Sequence, residues 1–424
     1  MTIWNPVDDG YADLSDHDSF VQGVPHKTFQ RLRNEDPLAW CDGGQFENYW
    51  SMTRYEDIIE YNSQTAVLSS AHGIRIEDQS HEEYMARRTF QETDPPEHTQ
   101  TRTRVARAFS RPIIAGFEDT IRQLCNDILD NALDIGEFDA SHLISRQLPM
   151  RMLGQILGIP DKDLDWLVTK GDELIANTDP EYTDFLHDQD DTDDFRLMPF
   201  RSPAGAELYA YAHGLMKDRV SQGETGGVLD IILQPNEKGE VISDTDFRNF
   251  FCLLVAAGND TTRYTLSASI HALANQPGLF EHFANANSTD NSKIWIPATE
   301  EFIRWASPTM HFRRTAIQDF ELHGKTVREG DKVVYWFVSG NRDERKFENP
   351  YTVNPLRTPN QHMAFGQGGP HVCLGMWLAR LEICVLLQEL VKRVSNIEQS
   401  GDHEYLRSNF VGGIKKLPIK VTPR

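Results

Sequence analysis

The chain has 424 residues, and its 42 Lys and Arg against 64 Asp and Glu give a net charge of −22 at pH 7. A field of that sign repels nucleic-acid phosphates and anionic lipid surfaces, which argues against nucleic-acid binding. The N-terminus lacks a signal-peptide pattern, and no apolar run reaches the roughly 18 residues that a membrane span needs. We therefore expect a cytoplasmic globular protein without membrane insertion.

The hydrophobic pattern predicts a mainly α-helical chain with a small β-rich region. Short β-like runs such as 48–53 lie among helical stretches, and from about residue 94 to about residue 275 the pattern is mostly helical. Strand patterns return at 320–324 and 332–338. Because no repeat or long low-complexity linker interrupts the chain, we expect one domain over 1–424.

An acidic run over 187–194 separates two helical stretches. Runs of like charge are usually solvated, so the sequence predicts a surface loop. The functional alternative is a mobile lid over a binding site.

The longest predicted helix begins near Ser243, in a Ser-x-x-Asp start pattern, and ends at about Asn275. Its middle places Gly258, Asp260 and Thr261 within an apolar run, which lowers helix propensity and risks burying a charge. Sequences break local rules most often at functional sites. The alternative is that Asp260 and Thr261 simply face solvent.

A glycine-rich loop over 365–375 contains Cys373 and leads into an apolar helix. Backbone N–H groups at a helix N-terminus stabilise a thiolate, so we expect Cys373 to be a thiolate ligand. The loop lacks the third glycine of G-x-G-x-x-G and a Walker lysine. A zinc site formed by His362, His371 and Cys373 is possible but lacks a fourth ligand at sensible spacing.

Together, these segments resemble the cytochrome P450 family of heme-thiolate monooxygenases, in the family's order and over essentially the whole chain. The resemblance implies that Cys373 is the axial ligand of the iron of heme b, with Phe365 beside it and His371 at a heme propionate. The loop has one residue more than the usual motif, within Gly368-Gly369-Pro370.

The resemblance extends to the helix that starts after Asp94-Pro-Pro, where His98 and Arg102 match propionate contacts, as does Arg314. In the long helix it implies catalytic roles for two residues. Thr261 would hydrogen-bond the oxygen intermediate and Asp260 would relay protons, while Gly258 leaves room for dioxygen.

A Glu-x-x-Arg pair, Glu301 and Arg304, together with Arg357 matches the family's buried ion network. An isolated pair of this kind is usually a solvated surface pair. The resemblance implies a structural role, in which the network holds the cysteine loop.

The substrate-facing segments of the family are mostly apolar here, which predicts a lipophilic substrate. We rank a steroid or terpenoid first and an aromatic or polyketide-type compound second. The substrate-binding candidates are Ile76, Val255, Ala256, Met310 and Val411.

A basic stripe formed by Arg104, Arg107 and Arg111 predicts either a solvated face or a docking surface for a ferredoxin or flavodoxin. With no flavin or iron–sulfur domain in the sequence, electrons would come from NAD(P)H through a ferredoxin and its reductase. The competing hypotheses are a heme-thiolate peroxygenase and a non-catalytic heme protein; Asp260 and Thr261 argue against both. A helical hydrolase has no nucleophile motif to support it.

Overall fold

Helices account for most of the regular structure in the computed structural model, which describes residues 3–4, 10–189, 191–222, 228–235, 239–288 and 292–424. The α-helices are α1 His26–Glu35, α2 Tyr55–Asn62, α3 His81–Arg87, α4 Glu97–Ala106, α5 Arg111–Ala115, α6 Glu118–Leu133, α7 Gln147–Leu157, α8 Leu164–Ile175, α9 Pro203–Gln222, α10 Val228–Leu233, α11 Asp244–Asn275, α12 Leu279–Ser288, α13 Trp295–Ala306, α14 Phe337–Gly340 and α15 Met376–Arg393. The strands are β1 Leu38–Cys41, β2 Tyr49–Met52, β3 Leu68–Ser69, β4 Glu137–Asp139, β5 His311–Ala316, β6 Phe320–Leu322, β7 Lys325–Val327, β8 Lys332–Trp336, β9 Val394–Gln399, β10 Glu404–Tyr405, β11 Ile414–Lys416 and β12 Pro418–Pro423.

The long predicted helix is confirmed as α11. The Ser243 hydroxyl accepts a hydrogen bond from the backbone N–H of Asp246 at 3.0 Å, which caps the first turn. With 32 residues at 1.5 Å each, the helix is about 48 Å long. It packs against α7, α8, α9, α13 and α15, so its middle turns lie in the interior of the molecule.

The β-rich region is also confirmed. In the described chain its main sheet has the order β1-β2-β8-β5-β3, in which only the β2–β8 pair is parallel. The predicted strand over 332–338 ends at Trp336, because the chain turns into α14. There the Ser339 hydroxyl donates a hydrogen bond to the carbonyl of Thr53 at 2.8 Å. The strand pattern at 320–324 is β6, the first arm of a hairpin with β7.

The acidic segment is in part the solvated loop that the sequence predicts, since Asp191, Asp193 and Asp194 are exposed, but Asp188 is not free in solvent. The side chain of Asp188 is only 8% exposed, and its carboxylate accepts hydrogen bonds from both Nη atoms of Arg407 at 3.1 and 2.8 Å. The same guanidinium pairs with Asp18 and donates to the carbonyl of Thr178. Arg407 therefore anchors this segment to two distant parts of the chain. Asp190 lies outside the described residues.

Candidate functional site

A cavity lies between the middle of α11 and the loop that precedes α15. Ala257, Gly258 and Thr261 line it from α11, and Cys373 lines it from the loop. Ala257 is exposed although it belongs to an interior helix, since its side chain faces this space. The structure thus brings the two principal sequence motifs together on one cavity, as predicted.

The backbone of the cysteine loop places the sulfur of Cys373 at this cavity. The backbone N–H of Cys373 donates to the carbonyl of Phe365 at 2.9 Å. Burial raises the pKa of the Cys373 thiol and outweighs the Gly375 N–H, Arg102 and Arg380, all of which favour the thiolate. A metal ion bound to the sulfur would remove the proton outright.

The extra residue of the loop is accommodated at the end of α2. The Asn62 amide donates to the carbonyls of Gly366 and Gln367 at 3.0 and 3.1 Å. A Cβ on Gly369 would lie 2.1 Å from the carbonyl oxygen of Asn62, so only glycine permits this close approach. Phe365 keeps its place at the cavity, with the guanidinium of Arg380 at 4.5 Å from its ring centroid.

The ion network predicted from the Glu-x-x-Arg pair is present and fully buried. Arg304 binds Glu301 through two hydrogen bonds of 2.8 Å, and Arg357 Nε donates to the same carboxylate at 2.9 Å. Glu301 also accepts the backbone N–H of Asn354 at 2.9 Å. These bonds tie α13 to the segment that leads into the cysteine loop.

Basic side chains gather beside the cysteine loop, where the resemblance places the heme propionates. The rings of His98 and His371 lie 4.2 Å apart between centroids. In the described structure neither ring nitrogen of His98 has a hydrogen-bond partner, nor has Nδ1 of His371. Burial, helped by Arg102 and Arg314, lowers the pKa of His98 to about 4, and burial together with Arg314 lowers that of His371 to about 2.

Two neutral imidazoles with free nitrogens, flanked by two guanidinium groups, suit a pair of carboxylates. The residues present therefore fit heme b, with its two propionates. Arg102 and His371 line the cavity itself, whereas His98 and Arg314 lie behind that lining. Arg314 donates to the carbonyl of Arg313 at 2.9 Å.

Thr261 and Asp260 are not side by side on one face of α11. The Thr261 hydroxyl lines the cavity and donates to the carbonyl of Ala257 at 2.7 Å. Asp260 is fully buried outside the cavity lining, 3.8 Å from Nη1 of Arg263, which itself donates to Asp172 at 2.8 Å. Burial raises the pKa of Asp260 well above its ordinary value despite Arg263. Neither residue faces solvent outside the protein.

The predicted substrate positions divide into two groups. Ala256 and Val411 line the cavity, but Ile76, Val255 and Met310 do not. Val255 is fully buried on another face of α11. Ile76 and Met310 pack into a separate apolar cluster beside the sheet. For these three, the sequence prediction of substrate contact is wrong.

Several polar residues that line the cavity were not predicted as site residues from the sequence, including Arg75, Glu77, His187 and Glu382. Glu382 lies on α15, and in the described structure its Oε1 has no hydrogen-bond partner. Burial raises its pKa well above the ordinary value, although a hydrogen bond with Thr262 opposes this. Glu382 could have been found from the sequence, because it is an acidic residue within the apolar pattern of α15. Arg75, Glu77 and His187 lie in irregular loops without a motif.

The zinc alternative finds no support. Over the described ranges, no group of three His, Cys, Asp or Glu side chains is placed to hold a metal ion. His362 is instead engaged with Glu300, at 3.1 Å. Among the same residues, no helix is long and apolar enough to cross a membrane.

Comparison with known proteins gives concordant results. The sequence profile described as Cytochrome P450 matches residues 298–422. The chain is 30% identical to the steroid C26-monooxygenase of Mycolicibacterium smegmatis, over 97% of this chain and 93% of that protein. It is 31% identical to the linalool 8-monooxygenase of Pseudomonas putida, over 97% and 99%.

A solved structure shares the fold over almost the whole length. The cytochrome P450 of Mycobacterium marinum in complex with pseudoionone superposes with a TM-score of 0.84 and 32% identity, covering 93% of this chain and 94% of that one. Enzymes of this family use heme and dioxygen. From its fold, its cysteine loop and these relatives, the chain belongs to the cytochrome P450 family of monooxygenases.

Proposed function

We propose that the chain, as one domain over 1–424, hydroxylates a C–H bond of a lipophilic small molecule, with a steroid or terpenoid as the preferred class. The observation that carries this proposal is one cavity onto which Cys373 and Thr261 both open. Apolar side chains, among them Phe90, Leu253 and Phe410, form much of its remaining wall. Relatives named for steroid and linalool oxidation support this class; aromatic and polyketide-type compounds rank second.

Cys373 would hold the heme iron, and His98, Arg102, Arg314 and His371 would hold the propionates. Heme held there would supply the activation of dioxygen for a reaction in which one oxygen atom enters the C–H bond and the other leaves as water. The net reaction consumes two electrons and two protons.

The protein must deliver those protons into a site otherwise kept dry. The Thr261 hydroxyl would present a proton at the cavity, and Gly258, one turn earlier, leaves space next to it. Asp260, on the buried side of α11 beside Arg263 and Asp172, would hold and release the proton. The raised pKa of Asp260 supports this role, because such a carboxyl can carry a proton near neutral pH.

Electrons would come from NAD(P)H through a reductase and a ferredoxin or flavodoxin. Arg107 and Arg111 are exposed, and the guanidinium of Arg111 lies 5.0 Å from the ring centroid of Trp377. Trp377 is in the first turn of α15, directly after the Cys373 loop. The basic stripe therefore adjoins the element that would lie beneath the iron, which suits an acidic electron carrier.

Two measurements test the proposal. The reduced protein with carbon monoxide should show the strongly red-shifted Soret band of thiolate-ligated heme, and Cys373→Ser should lose it. The enzyme, reconstituted with ferredoxin, reductase, NAD(P)H and ¹⁸O₂, should then convert members of a steroid and terpenoid panel to products carrying one ¹⁸O atom. Product formed with hydrogen peroxide but not with the redox partners would indicate a peroxygenase instead.

A further inference from the structure

Three polar residues, Arg75, Glu77 and His187, line the same cavity as Cys373. The proposed chemistry gives them no role, and an apolar substrate alone would leave them without partners. Buried polar groups are nearly always hydrogen-bonded, so such a cluster indicates a missing ligand group. We name these three residues the polar cluster.

Arg75 is the clearest case. Its guanidinium makes no hydrogen bond and no ion pair with any residue that the structure describes. It lies instead near two aromatic rings, 4.8 Å from the centroid of Phe200 and 4.4 Å from that of Phe410. Burial lowers the pKa of Arg75. Arg75 is half-buried, so a guanidinium without a hydrogen-bonded partner carries a desolvation cost there, and an oxygen acceptor placed in the cavity would reduce that cost.

Glu77 offers the complementary group. In the described chain its Oε2 has no hydrogen-bond partner, and the nearest ion-pair contact of its carboxylate is Nε2 of His17 at 3.8 Å. Arg75, His187 and His17 outweigh burial and lower the pKa of Glu77 to about 2, so it is ionised. Nδ1 of His187 likewise lacks a partner among the described residues.

The backbone that carries Arg75 and Glu77 is held firmly. The carbonyl of Ile74 accepts the backbone N–H of Arg313 at 2.8 Å, and Nη1 of Arg313 donates to the carbonyl of Glu77 at 3.2 Å. Between them, the carbonyl of Ile76 accepts a hydrogen bond from Lys332 Nζ at 3.3 Å. Donor and acceptor are therefore positioned before a ligand binds, which lowers the entropic cost of binding.

Two other arginines of the cavity wall, Arg87 and Arg201, are already paired. Arg87 and Arg201 both contact Glu83, at 4.0 and 3.4 Å. Within the polar cluster, the charged groups without a hydrogen-bonded partner are one cationic donor, Arg75, and one anionic acceptor, Glu77. A carboxylate would satisfy Arg75 but repel Glu77, and a ketone would leave Glu77 unpaired. A hydroxyl group can accept from the guanidinium and donate to the carboxylate at once.

We propose that Arg75 and Glu77 form a subsite for an alcohol, so that the substrate is a lipophilic molecule that already carries a hydroxyl group away from the carbon to be oxidised. This inference rests on the proposed function, because it refines the class of lipophilic substrate. It also places the reaction after one that introduces or unmasks that hydroxyl group.

The test compares four forms of one carbon skeleton: the alcohol, the ketone, the carboxylic acid and the deoxy hydrocarbon. One series uses a 3-substituted steroid and another an acyclic terpenoid, each bound to the heme-loaded enzyme and measured by calorimetry. Wild type should bind the alcohol about 10- to 100-fold tighter than the deoxy compound, as expected for hydrogen bonds to charged groups. Arg75→Met should bring that ratio close to one.

Glu77→Gln should reduce the preference for the alcohol over the ketone, and Arg75→Lys gives a second test if Arg75→Met fails to fold. Arg328→Met, at an exposed arginine outside the cavity lining, removes the same charge and should leave every ratio unchanged. Equal binding of alcohol and deoxy compound would overturn the subsite while leaving the proposed function intact. Tightest binding of the acid would overturn it in favour of an anionic group. If no compound of either series binds, the proposed function fails and the subsite with it.

Discussion

Thr261 provides the most direct test at the scale of a single residue. Thr261→Ala removes the cavity-facing hydroxyl, so product formation should fall by about 100-fold, within the range for positioned proton transfer. NAD(P)H consumption should continue, with its electrons appearing as hydrogen peroxide, measured alongside product. Thr103→Ala is a matched control, because the hydroxyl of Thr103 makes the same type of bond, to the carbonyl of Thr99 at 2.7 Å, on the exposed surface of α4. Unchanged coupling with a true substrate would contradict the role given to Thr261.

Glu300 gives a residue-scale prediction about pH. Its carboxylate accepts hydrogen bonds from Arg380 at 2.6 and 2.9 Å, and His362 and Arg380 outweigh burial to lower its pKa from 4.5 to about 2. Because the folded-state pKa is the lower one, these contacts stabilise the protein fully above the unfolded value and cease to do so as the pH falls through the folded one.

Glu300→Gln should therefore reduce the free energy of unfolding by about 3 kcal/mol near neutral pH. The difference from wild type should shrink below about pH 4.5. Urea denaturation of both proteins, followed by circular dichroism over a series of pH values, measures this difference in the free energy of unfolding. A difference that stays constant down to about pH 3 would contradict the lowered pKa.

At the scale of elements, α11 and the cysteine loop could be predicted because their signals are local. Ser243 caps the helix it precedes, and Cys373 is embedded in its own glycine-rich motif. Which side chains of each loop point into the cavity could not be predicted from the sequence. Ile76 lies between Arg75 and Glu77, yet it packs into the apolar cluster beside the sheet. Hydrogen bonds from side chains on β5 and β8 to the carbonyls of this loop decide which of its side chains point into the cavity.

The ion pair of Asp188 within the acidic segment was missed for the same physical reason. Composition described the segment as solvated, but its partner Arg407 is 219 positions away from Asp188 along the chain. Neither the local charge pattern nor the hydrophobic periodicity of a sequence indicates a contact between residues so far apart in the chain. The polar cluster was missed likewise, since His187 comes from a different loop from Arg75 and Glu77.

The close contact between the cysteine loop and α2 leads to a prediction for Gly369. In Gly369→Ala the new methyl group would meet the carbonyl of Asn62 at 2.1 Å, and relieving the clash should cost about 1–3 kcal/mol. The melting temperature and the heme content after purification should both fall. Gly214→Ala is the control: it lies in α9 with nothing within 4 Å of the new Cβ, and it should stabilise the helix by up to about 1 kcal/mol. Equal heme content in both variants would contradict the predicted clash between a Cβ at position 369 and the carbonyl of Asn62.

At the scale of the whole molecule, a basic stripe on a chain of net charge −22 should direct an acidic electron carrier to one face. Arg107→Glu and Arg111→Glu should each lower the rate of reduction by ferredoxin severalfold at low ionic strength. Above roughly 1 M salt, where the screening length is about 3 Å, the variants should approach wild type. Arg328→Glu makes the same charge change outside the stripe and should have little effect. If the variants were reduced more slowly than wild type by the same factor at low and at high salt, electrostatic steering would be excluded.

Arg407 has a consequence for how the cavity opens. Its guanidinium joins Asp18, Thr178 and Asp188, and the loop that carries it continues into Phe410 of the cavity wall. Segments near the two ends and the middle of the chain therefore share one ionic junction, so they should detach as a single cooperative unit. Amide hydrogen exchange should show one common opening free energy for residues 178–188 and 407–411. A substrate that entered through this side would then have to wait for that common opening, which would limit its rate of association without changing the contacts that decide its affinity.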